Sequence, residues 1–151
     1  MTSLKKGDAA PHFSGVDQDG NAHTLEAYKG KKLVVFFYPK ASTPGCTAEA
    51  CDLRDNFDRF QANNYALLGV SADSQKAQGK FKDKYEFPFP LLADEEKAVI
   101  TAFGVWGPKK FMGKEYDGIH RTTFVIDENG VIEDVISEVK TKAHAAQILK
   151  D

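Results

Sequence analysis

Cys46 and Cys51 are the two cysteines of this chain, and both lie in FFYPKASTPGCTAEAC, which runs from Phe36 to Cys51 behind an apolar stretch. A thiol attacks or binds as its anion, yet an ordinary thiol with a pKa of ~8.5 is only about 3% ionised at neutral pH, and bringing that value to ~6 takes roughly 3.4 kcal/mol of preferential stabilisation of the anion. Part of that is encoded locally. Thr43 suits a helix N-cap and Pro44 the first helical position, which places Cys46 at the third position, among unpaired N–H groups and the positive end of the helix dipole. A helix terminus contributes ~0.3 to 1 kcal/mol, and ~2 in the best geometry, so a cation must make up the rest. Arg121, opening the strand-like RTTFVID, is the candidate, because a strand end can lie beside the helix start that follows a neighbouring strand. A surface arginine paired with a carboxylate fits the same spacing. Thr43 likewise has two compatible roles, capping the helix and offering its hydroxyl to a sulfur or a substrate oxygen.

The spacing of the two thiols carries its own constraint. Five residues along a regular helix separate Cα atoms by roughly 8 to 9 Å with directions about 140° apart, whereas a disulfide spans about 4.4 to 6.8 Å. The pair cannot bond while the helix is intact, so a disulfide requires the first one or two turns to unwind and couples redox chemistry to a local switch. The alternative is that Cys51 is a small packed residue of the helix. A zinc site would need further ligands, and His12, His23, His120 and His144 form no close pair; an iron–sulfur cluster would need more cysteines, and a CxxC reductase motif is absent. The histidines read as surface or structural groups, Trp106 as packing beneath a loop, and Lys109 and Lys110 as solvated loop residues.

These residues need a scaffold. Lys32 to Tyr38, KLVVFFY, is the continuous apolar, aromatic and β-branched pattern of a central strand buried on both faces, and Pro39 ends it. Ahead of it, a short strand from His12, a turn at Asp17 to Asn21 and AHTLEAYKG suggest a further strand and a helical turn. After it, Ala50, Leu53, Phe57 and Phe60 recur at spacings of three and four, predicting one helix from Thr43 to Asn63 and Asn64. YALLGVSAD reads as a second strand, SQKAQGKFKDKYEF as an exposed helix, FPFPLLAD as extended chain, and DEEKAVITAFG as a short helix stopped by Gly104. Gly107 to Gly118 shows no period and reads as a loop. HRTTFVIDENGVIEDVIS then gives a hairpin turning at Glu128, Asn129 and Gly130, and KTKAHAAQILK a closing helix. Two βα alternations, a hairpin and a last helix predict an α/β fold with a central mixed sheet covered by helices on both faces.

The chain has 151 residues, 42% apolar and 28% charged, with eleven phenylalanines, which suits one domain over residues 1–151 with a substantial core. Twenty basic and twenty-two acidic side chains, without a long block of either sign, argue against nucleic acid or a charged membrane surface as partner. MTSLKKGDAAPHF lacks the apolar core of a signal peptide, and no stretch approaches the ~18 apolar residues of a membrane span. A cytoplasmic protein is expected, where two close cysteines are more often catalytic or metal-binding than a permanent staple.

PKASTPGCTAEAC resembles the active-site segment of peroxiredoxins, in particular the bacterioferritin comigratory protein or peroxiredoxin Q subfamily. Pro39, Thr43 and Cys46 match the family's proline, hydroxyl residue and peroxide-attacking cysteine; Cys51 matches a second cysteine five residues on, and Arg121 the family's arginine. GVSAD (Gly69 to Asp73), FGVWG (Phe103 to Gly107) and RTTFVID extend the likeness over nearly the whole chain. Pro108 departs from it, standing where many relatives carry a charge. The resemblance implies a thioredoxin-like fold and a monomeric thiol peroxidase without metal, flavin or haem. It implies that Cys46 forms a sulfenic acid on attacking a peroxide, with Thr43 and Arg121 orienting the substrate and Pro39 shielding it. Cys51 would resolve that acid as an intrachain disulfide, and thioredoxin or a similar dithiol would reduce the disulfide.

Overall fold

The computed structural model describes residues 2–150, so Met1 and Asp151, the ends of the expected 1–151 domain, lie outside the described residues. The apolar run forms β3 (Lys32–Phe37), and Leu33 to Phe37 are all buried. Successive residues of β3 feed different interiors: Leu33, Val35 and Phe37 pack with Val70, Ile100, Phe103 and Phe124, while Val34 and Phe36, with Tyr38 beyond the strand end, pack with Leu53, Phe60, Phe81 and Ile148. A strand buried on both faces has no need of polar alternation, which is why the run is continuous. Its neighbours are β4 (Tyr65–Ser71), parallel to it, and β8 (Thr122–Ile126), antiparallel to it. With β5 (Leu91–Ala93) beyond β4 and β9 (Ile132–Ile136) beyond β8, the sheet order is β5-β4-β3-β8-β9. Helices α1 (Pro44–Asp55), α2 (Phe57–Ala62), α3 (Gln75–Tyr85) and α5 (His144–Leu149) contribute to the interior on one face, and α4 (Ala98–Ala102) to the other. The expected mixed sheet with helices on both faces is the observed architecture. A ribbon of β1 (Ser14–Val16) and β2 (Ala22–Thr24) and a 3-10 turn at Glu26–Tyr28 precede it, with Asp17 to Asn21 turning as expected.

The register of two strands decides what meets at the sheet's end. Phe37 of β3 stands opposite Thr122 of β8, so Arg121, one residue before β8, sits level with the segment that leaves β3 for α1. That segment is tethered by the expected GVSAD strand end: Asp73 accepts the Ala41 N–H at 2.8 Å and the Ser71 hydroxyl at 2.6 Å. Gln78 donates to Ser71 Oγ and accepts from the buried Tyr38 hydroxyl at 2.6 Å, so the loop, β4 and α3 are bound into one network.

Two sequence expectations are corrected here. The single helix from Thr43 to Asn63 is two helices, because Asn56 leaves helical geometry (φ −108°, ψ 12°) and its amide donates to the Asp52 carbonyl, taking over a backbone acceptor. The apolar periodicity survives the break: Ala50, Leu53 and Phe60 are buried and Phe57 packs partly buried against them. The stretch from Gly107 to Gly118 is not a loop but most of a hairpin, β6 (Trp106–Phe111) and β7 (Lys114–Ile119), turning at Met112 and Gly113, both at positive φ. It carries no period-2 pattern because most of it buries no face, and Phe111 and Met112 at its tip are 66% and 88% exposed. Pro108 sits in β6, in a two-stranded ribbon where a missing N–H is tolerated. Trp106 packs partly buried against the core, as read from sequence, with the Lys97 ammonium over its ring.

One glycine shows how tightly the sheet is filled. A Cβ on Gly69 of β4 would lie 2.7 Å from Leu91 and 2.9 Å from Phe36, side chains reaching over from the two adjacent strands. Gly69→Ala is expected to lower unfolding free energy by about 1–3 kcal/mol in urea denaturation, the usual cost of overpacking a filled core. An unchanged midpoint would show that these side chains have room to move.

Candidate active site

Cys46 is buried in the first turn of α1, at the third helical position expected from the sequence. Pro44 opens the helix and Thr43 occupies the N-cap position with extended backbone (φ −79°, ψ 154°), but its side chain does not cap the helix. The Thr43 hydroxyl instead donates to the Lys40 carbonyl at 2.8 Å, which corrects the capping expectation: the proline loop claims the hydrogen, and the first-turn N–H groups are left without a side-chain acceptor. Thr43 and Pro39 are half-buried on the two sides of exposed Lys40 and Ser42.

Arg121 reaches this turn from the start of β8. Its Nη2 donates to Cys46 Sγ at 3.4 Å and its Nη1 to Glu49 Oε1 at 2.7 Å. The carboxyl partner that a surface arginine would have is present, but it is buried and lies one helical turn beyond the thiol, so the same guanidinium reaches both acids. Only a planar fork serves two acceptors in fixed directions, so lysine would not substitute. Burial works against the guanidinium charge, but the sulfur and the Glu49 carboxyl outweigh it and raise the Arg121 pKa above its already high ordinary value. Gly45 makes the approach possible, since a Cβ there would lie 3.2 Å from Arg121 Nη2.

Glu49 is fully buried. Burial pushes its pKa up to about 7 from an ordinary 4.5, against the opposing charge and hydrogen bond of Arg121. Its Oε2 has no hydrogen-bond partner among the described residues, and His144 Nε2 lies 3.5 Å from it. Sequence reasoning missed Glu49, although its position three residues after Cys46 puts it on the same helical face, a signal that was available. Gly45 and His144 gave no such signal.

Lys109 departs from its reading as a solvated loop residue. Its ammonium donates to the Ile119 carbonyl at 2.9 Å, and with Thr2, His120, Arg121, Thr122 and Ser137 it lines a cleft of about 360 Å³ on the outer side of the arginine. Burial, then the neighbouring Arg121 charge, lowers its pKa, with the Cys46 sulfur opposing. Lys110 is exposed and points to Glu115, as expected.

Cys51 lies two turns along α1, half-buried, and both thiols are free. Burial, opposed by Arg54 and assisted by Asp55, raises the Cys51 pKa, so in the folded helix it is a poor nucleophile. Immediately after it, Asp52 accepts the Ala145 N–H of α5 at 2.8 Å, fastening the two helices together. The histidines are scattered: His12 pairs with Glu26, His23 bridges Asp17 and Tyr28, His120 faces the Pro108 carbonyl and His144 is buried in α5. Among the described residues no group of three or more His, Cys, Asp or Glu side chains is placed to hold a metal ion, and no helix is long and apolar enough to cross a membrane.

Known proteins resemble this chain over nearly its whole length. The AhpC/TSA family model matches residues 6–135. Peroxiredoxin Bcp of Escherichia coli K12 is 48% identical over 149 residues, covering 99% of this chain and 96% of its own. Among solved structures, the Xanthomonas campestris bacterioferritin comigratory protein, described for its alkyl peroxide reduction activity, superposes with a TM-score of 0.86 at 37% identity over 91% of this chain and 88% of its own. A cysteine-to-serine mutant of Xylella fastidiosa PrxQ superposes with a TM-score of 0.92 at 30% identity over 99% and 96%. The fold is thioredoxin-like.

The buried carboxyl yields a prediction with a definite sign. Because its folded pKa of about 7 exceeds 4.5, Glu49 keeps a proton on folding that the unfolded chain gives up in between, so its contribution to stability falls as pH rises from about 4.5 to about 7. The loss is up to about 3 kcal/mol for this group. Glu49→Gln removes the titration, so in urea denaturation the variant gains on the parent by that order between about pH 5 and about pH 8. A difference independent of pH would contradict the assignment.

Proposed function

This chain belongs to the AhpC/TSA family as a peroxiredoxin of the Bcp and PrxQ type, and from that premise we propose that it reduces hydrogen peroxide and organic hydroperoxides through a sulfenic acid on Cys46. The observation that carries this reading is the guanidinium of Arg121 held against Cys46 Sγ by its second bond to Glu49. In that setting the sulfur reacts as the anion. It attacks the hydrogen-bearing oxygen of the peroxide; the S–O bond forms as the O–O bond breaks, the sulfur is oxidised to sulfenic acid, and the departing alkoxide or hydroxide takes a proton to leave as alcohol or water. Charge moves from sulfur to the leaving oxygen, and Arg121 stabilises it along that path, while Thr43 orients the peroxide and Pro39 keeps water from the sulfur.

Resolution by Cys51 belongs to the same reading, suggested by the family resemblance, and helix geometry sets its condition. An intrachain disulfide forms only after α1 unwinds through Cys51: the Cys51 thiolate attacks the sulfenic sulfur, the S–S bond forms, and hydroxide leaves as water. The unwinding trades backbone hydrogen bonds worth ~0.5–1.5 kcal/mol each for ~1–2 kcal/mol of returned entropy per residue, so the packing of Ala50 and the Arg121 contacts decide the balance. Exposure also relieves Cys51 of the burial that raises its pKa, so the step that brings the sulfurs together activates the second one. A thioredoxin-type dithiol then returns two electrons and both thiols. In this reading the chain works as a single domain and a monomer in the reducing cytoplasm, where thiols are kept unpaired.

In an assay with peroxide and a dithiol reductant, Cys46→Ser is expected to abolish peroxide consumption, and turnover retained in that variant would remove the enzyme reading. Arg121→Gln is expected to lower the second-order rate constant for peroxide by ~10²- to 10³-fold, the usual loss on removing one donor to a developing oxyanion. Cys51→Ser is expected to complete its first oxidation at the parent rate and then stall with a thioredoxin-type reductant. Peptide mapping after one equivalent of peroxide is expected to find Cys46 bonded to Cys51; a cross-chain bond would reassign the resolving partner.

A further inference from the structure

The proposed peroxidase chemistry leaves one buried group unused. His144 is fully buried at the start of α5, behind Glu49 as seen from the sulfur, and its ring is held on both sides. Gln147 fixes one nitrogen: its amide nitrogen donates to the Glu138 carbonyl at 2.9 Å and its Oε1 accepts the Lys140 N–H at 2.9 Å, which sets the orientation of the amide. Oε1 is therefore also the acceptor for His144 Nδ1 at 2.8 Å, and the ring proton is on Nδ1. In the neutral ring the Nε2 lone pair then accepts the Thr123 hydroxyl at 2.7 Å, and the nitrogen has no proton to offer Glu49 Oε2, 3.5 Å away.

That arrangement works against an ionised Glu49 beside a neutral ring. An anionic oxygen without a hydrogen-bond partner would face a nitrogen with no proton to give, in a buried site, a desolvation cost that the bond from Arg121 to Oε1 offsets only in part. A proton on Oε2 removes the charge. We propose that His144 is a positioning residue of the peroxidase site: locked as the Nδ1–H tautomer, it withholds a donor from Glu49 Oε2 and keeps that carboxyl protonated, so that Glu49 orients Arg121 through Oε1 without neutralising it, and the guanidinium charge stays available to Cys46. This rests on the peroxidase reading of Cys46.

Other charges around the pair are consistent with the assignment. Among the described residues, Arg121 and the neutral Thr123 face it from β8 and its start, Cys46 and Asp52 lie on α1, and the neutral Gln147 is on its own helix. Burial raises the Glu49 pKa to about 7 and lowers that of His144, so both directions place the proton on the carboxyl with a neutral ring beside it. Cys46 and Glu49 then share one guanidinium, and the proton on Glu49 leaves the guanidinium charge to the sulfur. When the pair loses its proton at higher pH, the carboxylate competes with the sulfur and with the charge developing on the leaving oxygen.

The test combines a spectroscopic readout with a kinetic one on the full chain. Nitrogen-15 chemical shifts of the reduced protein are expected to show His144 as the neutral Nδ1–H tautomer, with a titration step near neutrality that Glu49→Gln abolishes. An Nε2–H tautomer, or a His144 titration unaffected by Glu49→Gln, overturns the proposal. In single-turnover oxidation by hydrogen peroxide, the parent rate is expected to fall about tenfold as the pair deprotonates above neutrality, the size of one carboxylate's effect on a neighbouring charge. Glu49→Gln mimics the protonated acid, uncharged and with a carbonyl for Arg121, and is expected to lose that fall; Glu49→Leu, which cannot orient Arg121, is expected to be slow at every pH. Identical profiles for the parent and Glu49→Gln overturn the proposal. Absent peroxide consumption with the tautomer and shared titration in place overturns the peroxidase reading instead.

Discussion

One guanidinium with two acidic claimants sets the terms for this structure. Arg121 spends Nη1 on a carboxyl that is fully buried and Nη2 on a sulfur that is nearly so. Burying such groups costs several kcal/mol per charge unless geometry and hydrogen bonding repay it, so the scaffold must place all three within tenths of an ångström. It does so with rigid parts. The antiparallel register of β3 and β8 puts residue 121 at the mouth of the loop leaving β3, and Asp73 pins that loop through the Ala41 N–H. Gly45 leaves the space that the guanidinium fills.

The helix carrying the sulfur has to meet opposed requirements. It must be ordered to present first-turn N–H groups and Glu49, yet proposed resolution by Cys51 requires it to open. Its construction suits that division of labour. The N-terminal turn lacks a side-chain cap, whereas the C-terminal part is anchored by buried Leu53, by Asp52 holding the N–H of Ala145, and by the Asn56 break that separates α1 from α2. Unwinding that stops near Cys51 leaves those anchors in place. Differences in local stability within one helix are thus part of how the site is proposed to cycle.

Much of the fold and the chemistry was legible in the sequence, and the exceptions have identifiable causes. β3 announces itself because burial on both faces removes polar residues, and Cys46 because a proline at N1 fixes where the helix begins. The β6–β7 hairpin was missed because alternation records a buried face, and a ribbon largely in solvent has little to record. The break at Asn56 was missed because the apolar spacing continues across it, the two short helices burying the same side. Thr43 sits where capping chemistry predicts but gives its proton to Lys40, a competition between two nearby acceptors that residue type cannot settle. Arg121 was nominated on a need for positive charge, whereas its pairing with Glu49 and the placing of His144 behind that pair come from tertiary contacts 72 and 95 residues apart in sequence, with 121 − 49 = 72 and 144 − 49 = 95.

The ultraviolet absorbance of the thiolate tests the central claim most directly, measured on reduced Cys51→Ser protein, in which Cys46 is the one remaining thiol. The account predicts a thiolate signal at neutral pH that falls at least tenfold when Arg121→Met is added, the order expected for losing a hydrogen bond from a charged donor worth about 1.5–3 kcal/mol. A signal absent from the parent, or equal in both proteins, would mean that the guanidinium does not hold the sulfur as an anion.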